Sequence, residues 1–312
     1  MPMYLNWSRW RKGRTEVRLQ DIAKQGSNGT CVLSEEQLKQ LHQVLLEILD
    51  DVIQICQEHD LKFILIGGSA IGALRSGGII PWDDDIDIAM PRKDFETLCA
   101  VVRKHYPEKY AMLHPQDRDN FGRVIPKIRL RGTCYRTILE QDLTDCGVFI
   151  DIYTIENVPN GTLARYFQGF MSMALGFALA CRRLYKGREF FRSYMPGMGF
   201  KVKCAIGFVL SVASYETWAR WLDSWHSRCR DEQSEYVSVP ADCRHYFGEL
   251  NRRDLLCDVV PICFEGRNCF VPRDADGYLR PIYGDYMQLP PPEKQERNSY
   301  LEFDLGKRGD RQ

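Results

Sequence analysis

The sequence predicts an α+β fold, a mixed sheet flanked by helices with a mostly helical second lobe. Two observations point to the sheet. Apolar runs of strand length recur at 63–66, 124–130 and 147–153, and acids or bases alternate with Ile in and beside them. A third observation points to the lobe: residues 163–212 hold two helices that are apolar nearly all round, followed by a helix-spaced Trp set.

The 312 residues suffice for one large domain or two small ones. Lys plus Arg number 42 and so do Asp plus Glu, so no global field marks a nucleic-acid binder. Residues 1–33 lack periodicity and read as a flexible, basic N-terminal arm. Residues 1–18 hold no apolar stretch of signal-peptide type. Twelve cysteines are scattered without a C-x-x-C pair, which reads as reduced cytosolic thiols.

Ser34 with Gln37 forms a capping-box signature, and Leu38, Leu41, Leu45, Ile48, Leu49 and Val52 then follow helical spacing. His42 and His59 on this helix read as surface residues rather than ligands. The run at 63–66 reads as a buried strand, ended by Gly67 and Gly68. Ser69 is placed as the N-cap of a short helix. A glycine pair between strand and helix lets backbone N–H groups approach a phosphate, and Arg75, two turns on, could reach back as a clamp. Gly77 and Gly78 end that helix.

In the run Asp83-Asp84-Asp85-Ile86-Asp87-Ile88 the acids at 85 and 87 alternate with Ile. On a strand they share one face, about 7 Å apart. Two hard oxygen ligands on a rigid edge suit Mg²⁺ or Mn²⁺; the plain alternative is an acidic turn. A helix from 91 to about 104 follows. The next strand carries Lys127 and Arg129 on one parity, facing either an anionic ligand or solvent. Asp151 lies inside an apolar strand, where an isolated carboxylate is costly, so it is paired or binds a cation. A salt-bridged structural Asp is the plain alternative; if Asp151 binds a cation it is also a candidate general base, with Asp83 as the alternative base.

Residues 163–212 read either as buried helices or as a hydrophobic patch on a bilayer, with Arg182, Arg183, Lys186, Arg188, Lys201 and Lys203 meeting anionic headgroups. Trp218, Trp221 and Trp225 fit a core-facing helix running to about residue 232. At the C-terminus, residues 270–292 form a clasp: a helix, Tyr283-Gly284-Asp285-Tyr286, and three prolines that forbid continuation. Tyr283 or Tyr286 reads as a packing residue or a base-stacking one. The expected division is thus an arm at 1–33, a catalytic core at 34–158, a helical lobe with clasp at 159–292 and a loose tail at 293–312.

The Gly-Gly-Ser turn followed by Asp-Ile-Asp resembles the nucleotidyltransferase superfamily. The fuller stretch at 67–92, with the Lys127-Ile128-Arg129 strand and the Tyr-Gly-Asp-Tyr clasp, resembles the LicD family, to which fukutin-like proteins are related. That family often has Thr where Ser69 stands. The resemblance spans roughly 35–295 and implies metal-dependent transfer of a phospho-alcohol such as phosphocholine. The donor would be CDP-activated, CDP-choline for example. The acceptor would be a hydroxyl of a cell-surface glycan, such as lipopolysaccharide or teichoic acid, or of its lipid-linked precursor. It implies Asp85, Asp87 and Asp151 as ligands of Mg²⁺ or Mn²⁺. Gly67, Gly68, Ser69, Arg75 and Lys127 would contact donor phosphate, Lys127 ahead of Arg129. Because some relatives carry zinc, a site over Cys257, Cys263 and Cys269 is a further option, although six-residue spacings match zinc frameworks poorly. The expected location is cytoplasmic, peripheral at the inner face of the membrane, with a lumenal one as alternative. Two other activities stay open: a nucleotidyltransferase moving NMP from NTP to a small molecule, and a silent nucleotide-binding scaffold.

Overall fold

The structure, a computed structural model, describes residues 31–119, 122–137, 140, 145–195, 197–291, 295 and 299–308. The flexible arm expected at 1–33 lies outside the described residues, apart from its last three.

The chain opens with α1 (Glu35–Glu58), capped as expected: the Ser34 hydroxyl accepts from the Gln37 backbone N–H while the Gln37 side chain accepts from the Ser34 N–H. Strand β1 (Ile64–Leu65) leads into α2 (Gly67–Ser76), which stops at Gly77 in the left-handed conformation, φ 72°. Then come β2 (Asp87–Pro91), α3 (Arg92–His105), β3 (Tyr110–Leu113), β4 (Lys127–Leu130), β5 (Cys134–Thr137) and the long β6 (Phe149–Val158). The lobe follows with α4 (Thr162–Lys186), α5 (Arg188–Tyr194), α6 (Met198–Val209) and α7 (Tyr215–His226). The rest is β7 (Tyr236–Ser238), α8 (His245–Gly248), β8 (Leu250–Arg252), α9 (Arg253–Cys257), the hairpin β9 (Val259–Phe264) and β10 (Arg267–Pro272), α10 (Ala275–Tyr283) and β11 (Tyr300–Asp304).

The main sheet runs β1-β2-β6-β4-β3, with β2 and β6 parallel and the other neighbours in that order antiparallel. It is the mixed sheet expected, and the fold is α+β. One register row matters most: Asp87 pairs with Asp151, and Asp151 with Lys127. Because side chains alternate across a pleat, register partners project from the same face. Leu41, Leu45, Ile48, Leu49 and Val52 of α1 are fully buried in the core shared with Ile86, Ile88, Ile150 and Ile152. Burying a large aliphatic side chain contributes roughly 1.5–3 kcal/mol, so this interface anchors the strands that carry the acids.

Several expectations need correction. The last three residues of β6 pair with β7, and β7 with β8, so residues 236–252 extend the main sheet across the boundary expected at 158/159. The tail expected to be loose from 293 is structured in part: β11 pairs with β5, Leu305 is buried, and Arg308 holds Glu47 through two hydrogen bonds. Helix α7 ends at His226, short of 232, and Trp221 is 48% exposed rather than in the core.

The thiol expectation also fails at two positions, because Cys134 and Cys146 form a disulfide; the other ten cysteines are free. Among the described residues, no group fit for a metal includes Cys257, Cys263 or Cys269. In the β9–β10 hairpin Cys263 is exposed while Cys269 is buried, so the two cannot share one ion.

Nor are the helices of 163–212 buried all round. Leu163, Phe170, Met198, Phe208 and Val212 are each more than 60% exposed. No single described helix is long and apolar enough to cross a membrane; the bent pair 198–212 and 215–226 passes that test together, by length and composition alone.

Candidate active site

Every second residue from 83 to 88 shows the same burial: Asp83, Asp85 and Asp87 are half-buried, while Asp84, Ile86 and Ile88 are buried. The chain is thus extended before β2 formally begins at Asp87, and one parity carries three acids. The inward Asp84 accepts a hydrogen bond from the Tyr135 hydroxyl. His42 on α1 is half-buried and its Nε2 lies 2.7 Å from the Asp83 carbonyl, which pins the acid run to the long helix. The surface role expected for His42 is corrected by this contact; His59 is exposed.

Carboxylate oxygens of Asp85, Asp87 and Asp151 all lie within 4.8 Å of one another. A second acidic group, Asp83, Asp84 and Asp85, adjoins it and shares Asp85. Burial first, and then the neighbouring carboxylates, hold the Asp85 and Asp87 carboxyls well above the usual range. Asp151 is raised by burial, with Lys127 pulling the other way. The Asp87 Oδ1 atom is buried without a hydrogen-bond partner. Three close, hard oxygen donors, one of them unsatisfied, fit a divalent cation of the Mg²⁺ or Mn²⁺ kind.

Lys127 donates to Asp151, and its ammonium lies 3.5 Å from the centre of the Phe149 ring and 3.8 Å from Glu140. It is buried, not on a solvent face. Arg129 is buried deeper and committed to structure: it donates to Glu140 at 2.6 Å and to the Gly147 carbonyl at 3.0 Å. Of the two bases, Lys127 alone stands in the acid row.

The glycine turn faces this row. Gly67 adopts φ 54°, and a Cβ there would meet Asp87 Oδ2 at 3.2 Å and the Tyr283 hydroxyl at 3.6 Å. A Cβ at Gly68 would meet the Asp83 carboxylate at 2.5 Å. Gly67 is favoured by its backbone conformation, and a Cβ at Gly68 would push the Asp83 carboxylate aside. Helix α2 begins at Gly67 with Ile66 as N-cap, so Ser69 is not the cap expected; it lies in the first turn. Its hydroxyl accepts from the Asp87 N–H at 2.9 Å, tying the turn to β2 and leaving its own O–H free to donate. The first-turn N–H groups of Gly67, Gly68 and Ser69 lack intrahelical partners, which suits an anion.

Arg75 is directed elsewhere. It stands about 12 Å along the helix axis from Gly67, given 1.5 Å per residue. Its guanidinium donates to the Tyr286 carbonyl at 3.4 Å and lies 5.7 Å from the centre of the Trp82 ring. The structure thus joins Arg75 to the clasp rather than to the acids.

From the sequence, Tyr283 reads as a packing or base-stacking residue with no tie to the glycine turn. Its hydroxyl reaches Gly67 from the end of α10, over two hundred residues away in the chain. The signal was the Tyr-Gly pair that ends the helix; what could not be read was the direction in which the clasp closes.

A glycine turn at a helix start, set against acids and one lysine on a mixed sheet, fits a transferase of phosphate-containing groups, the class to which the similar proteins point. The chain carries a LicD-family domain. Residues 60–167 match the domain described as LicD/FKTN/FKRP, nucleotidyltransferase domain. The lipopolysaccharide cholinephosphotransferase LicD of Haemophilus influenzae is 27% identical over 267 residues, covering 85% of this chain and 94% of that protein. Shorter matches join it to two uncharacterized proteins. One, of Rickettsia prowazekii, is 32% identical over 20% of this chain and 26% of its own length. The other, of Rickettsia typhi, is 34% identical over 16% of each.

Proposed function

We propose that the chain transfers phosphocholine, or a similar phospho-alcohol, from a CDP-activated donor to a hydroxyl of a lipopolysaccharide-type glycan or its lipid-linked precursor. The observation that carries this reading is the Asp87–Asp151–Lys127 row opposite Gly67 and Gly68, within a chain that aligns along 94% of the cholinephosphotransferase.

Asp85, Asp87 and Asp151 would hold Mg²⁺ or Mn²⁺, which when bound neutralises charge on the donor's pyrophosphate. The other roles fall to the chain's own groups. The N–H groups of Gly67 and Gly68 and the Ser69 hydroxyl donate to non-bridging phosphate oxygens. Lys127 favours the ionised form of Asp151 against the effect of burial and adds a positive charge beside the transferred group. The Tyr283 hydroxyl closes the open side of the turn. Arg75 supports the site through the clasp, with direct phosphate contact only if it turns away from Tyr286.

For the proton of the attacking hydroxyl there are two acceptors in place. Asp151 is held by Lys127, and Asp83 stands half-buried beside Gly68. Positioning and electrostatics supply most of the acceleration, since phosphoryl transfer needs little covalent help.

The division into a catalytic core at 34–158 and a lobe with clasp at 159–292 is kept as a functional one: the core holds the donor, and the lobe faces the acceptor. An acceptor anchored in a membrane also requires work at a bilayer, so the peripheral position expected of 163–212 belongs to this reading.

The test is a screen of CDP-choline, CDP-ribitol and CDP-glycerol for metal-dependent CMP release in the presence of glycan acceptor. CMP release that stops in EDTA supports the proposal. Full turnover in EDTA, or pyrophosphate release from an NTP instead of CMP, overturns it.

A further inference from the structure

The exposed apolar residues of the lobe fall on regular stripes. On α4, Leu163, Phe167, Phe170, Met173 and Phe177 recur every three or four residues and are 39–89% exposed. On α6 and the turn after it, Met198, Val202, Val209 and Val212 stand four, seven and three residues apart and are 50–89% exposed. Solvent-facing helix stripes of a soluble domain are normally polar, and large residues on two neighbouring helices are not scattered exposure.

The two helices form one surface. Gly207 of α6 lets that helix touch the backbone of α4 at Cys181, where any Cβ would collide with the carbonyl. Phe208 meets Tyr185 edge-on with centroids 5.7 Å apart, and Phe167 meets Trp225 of α7 at 5.9 Å. Beside Trp225 lies an open groove of about 530 Å³ with Met171, Leu175 and Trp221 as its apolar walls and Arg228 at its rim.

Charge says what covers this face. From Thr162 to Ala213 there are eight Lys and Arg against a single acid, Glu189, in a chain whose overall balance is zero. Helices α4 and α6 contain no acid at all. Arg188, Arg192 and Lys201 are exposed around the apolar stripes. Apolar area bordered by cations, with Trp at the margin, matches an interfacial helix pair on an anionic bilayer.

We infer that α4, α6 and the groove beside α7 form a monotopic docking face for anionic lipid, with the apolar stripes in the headgroup–acyl boundary and Arg188, Arg192 and Lys201 at the phosphates. The inference rests on the reading of a membrane-anchored acceptor, and it names the surface that brings the enzyme to it.

Flotation of the full chain with vesicles tests it. One set is phosphatidylcholine alone and the other contains about one-third phosphatidylglycerol. The expected result is recovery with the anionic vesicles, weakened by salt and by Lys201→Glu with Arg192→Glu. Val209→Glu with Val212→Glu, both at strongly exposed sites, lowers it more than about tenfold while vesicle-free CMP release is unchanged. No flotation with anionic vesicles, or flotation that both double variants leave intact, overturns the inference. So does a wild-type dimer that the valine variant turns into a monomer without any vesicle binding, which would assign the face to a second copy. Flotation needs no turnover, so its failure leaves the transferase reading standing, and the loss of CMP release leaves this one standing.

Discussion

Asp87 and Asp151 are register partners on adjacent parallel strands, and their carboxylate oxygens lie within 4.8 Å of each other. Two ionised carboxylates this close and this buried repel strongly unless a cation sits between them. Lys127 compensates Asp151 from the far side, whereas Asp87 Oδ1 has no partner. The two acids therefore differ in what they do for stability, although both are assigned to one ion.

Asp87→Asn and Asp151→Asn should each lower CMP release at least about a hundredfold, the order lost when one preorganised charge-stabilising group is removed. Their thermal midpoints should diverge. Asp87→Asn removes an uncompensated buried charge and leaves stability unchanged or raised. Asp151→Asn strands the Lys127 ammonium, with Glu140 at 3.8 Å as partial relief, and loses about 2 kcal/mol. Equal midpoints for the two variants would contradict this account of the row.

Gly67→Ala places a methyl group 3.2 Å from Asp87 Oδ2 at φ 54°, a conformation that costs a non-glycine residue roughly 1–2 kcal/mol. Activity should fall with donor KM raised and the far-UV spectrum unchanged. Tyr283→Phe keeps the packing and removes the hydroxyl beside the turn. It should raise donor KM several-fold with kcat little altered, while thermal stability is maintained. Steady-state kinetics on both variants checks the direction of closure of the clasp.

Glu249 is fully buried, and burial followed by the nearby Asp242 pushes its carboxyl up to about 8, against the lesser opposing pull of Arg244 and the Tyr278 hydroxyl. A folded-state value above the ordinary one means that the folded protein holds the proton longer than the unfolded chain. Stability present below the ordinary carboxylate range is therefore lost as pH rises through about 8. Glu249→Gln should flatten urea-denaturation stability across that window and be the more stable protein at its upper end. A wild-type stability that rises from pH 5 to 8, with the variant parallel to it, would contradict the assignment.

Arg92 at the start of α3 bonds to Glu156 on β6 and to Asp223 on α7, both buried, so one guanidinium joins the core to the lobe. Arg92→Met strands two buried carboxylates. The expected loss is about 3–5 kcal/mol in urea denaturation. A loss under about 1 kcal/mol would mean that the network is no more than a surface ion pair.

What could be read from the sequence was local. The Ser34–Gln37 box, the stop at Gly77, the period-two acids before Ile86 and Ile88, and the buried Asp151 each declare themselves within a few residues, and each is in place. What could not be read depends on distant partners. Nothing near Tyr300 says that it pairs with Thr137, and nothing near Cys134 says that its thiol meets Cys146. Ser69 looks like a cap because the side chain suits one, yet the glycine before it already adopts a helical start and the hydroxyl is taken by Asp87. A helix that is apolar all round carries no record of which face its neighbours cover, and for that reason the sequence of α4 and α6 suits buried helices and a bilayer-facing patch alike.

The transferase reading requires the acid row to hold a divalent cation. Mn²⁺ titration followed by electron paramagnetic resonance measures it on the protein alone, without donor or acceptor. Saturable binding by wild type, competition by Mg²⁺, and loss of that binding in Asp87→Asn and Asp151→Asn are expected. Equal Mn²⁺ uptake by wild type and both variants would contradict that reading.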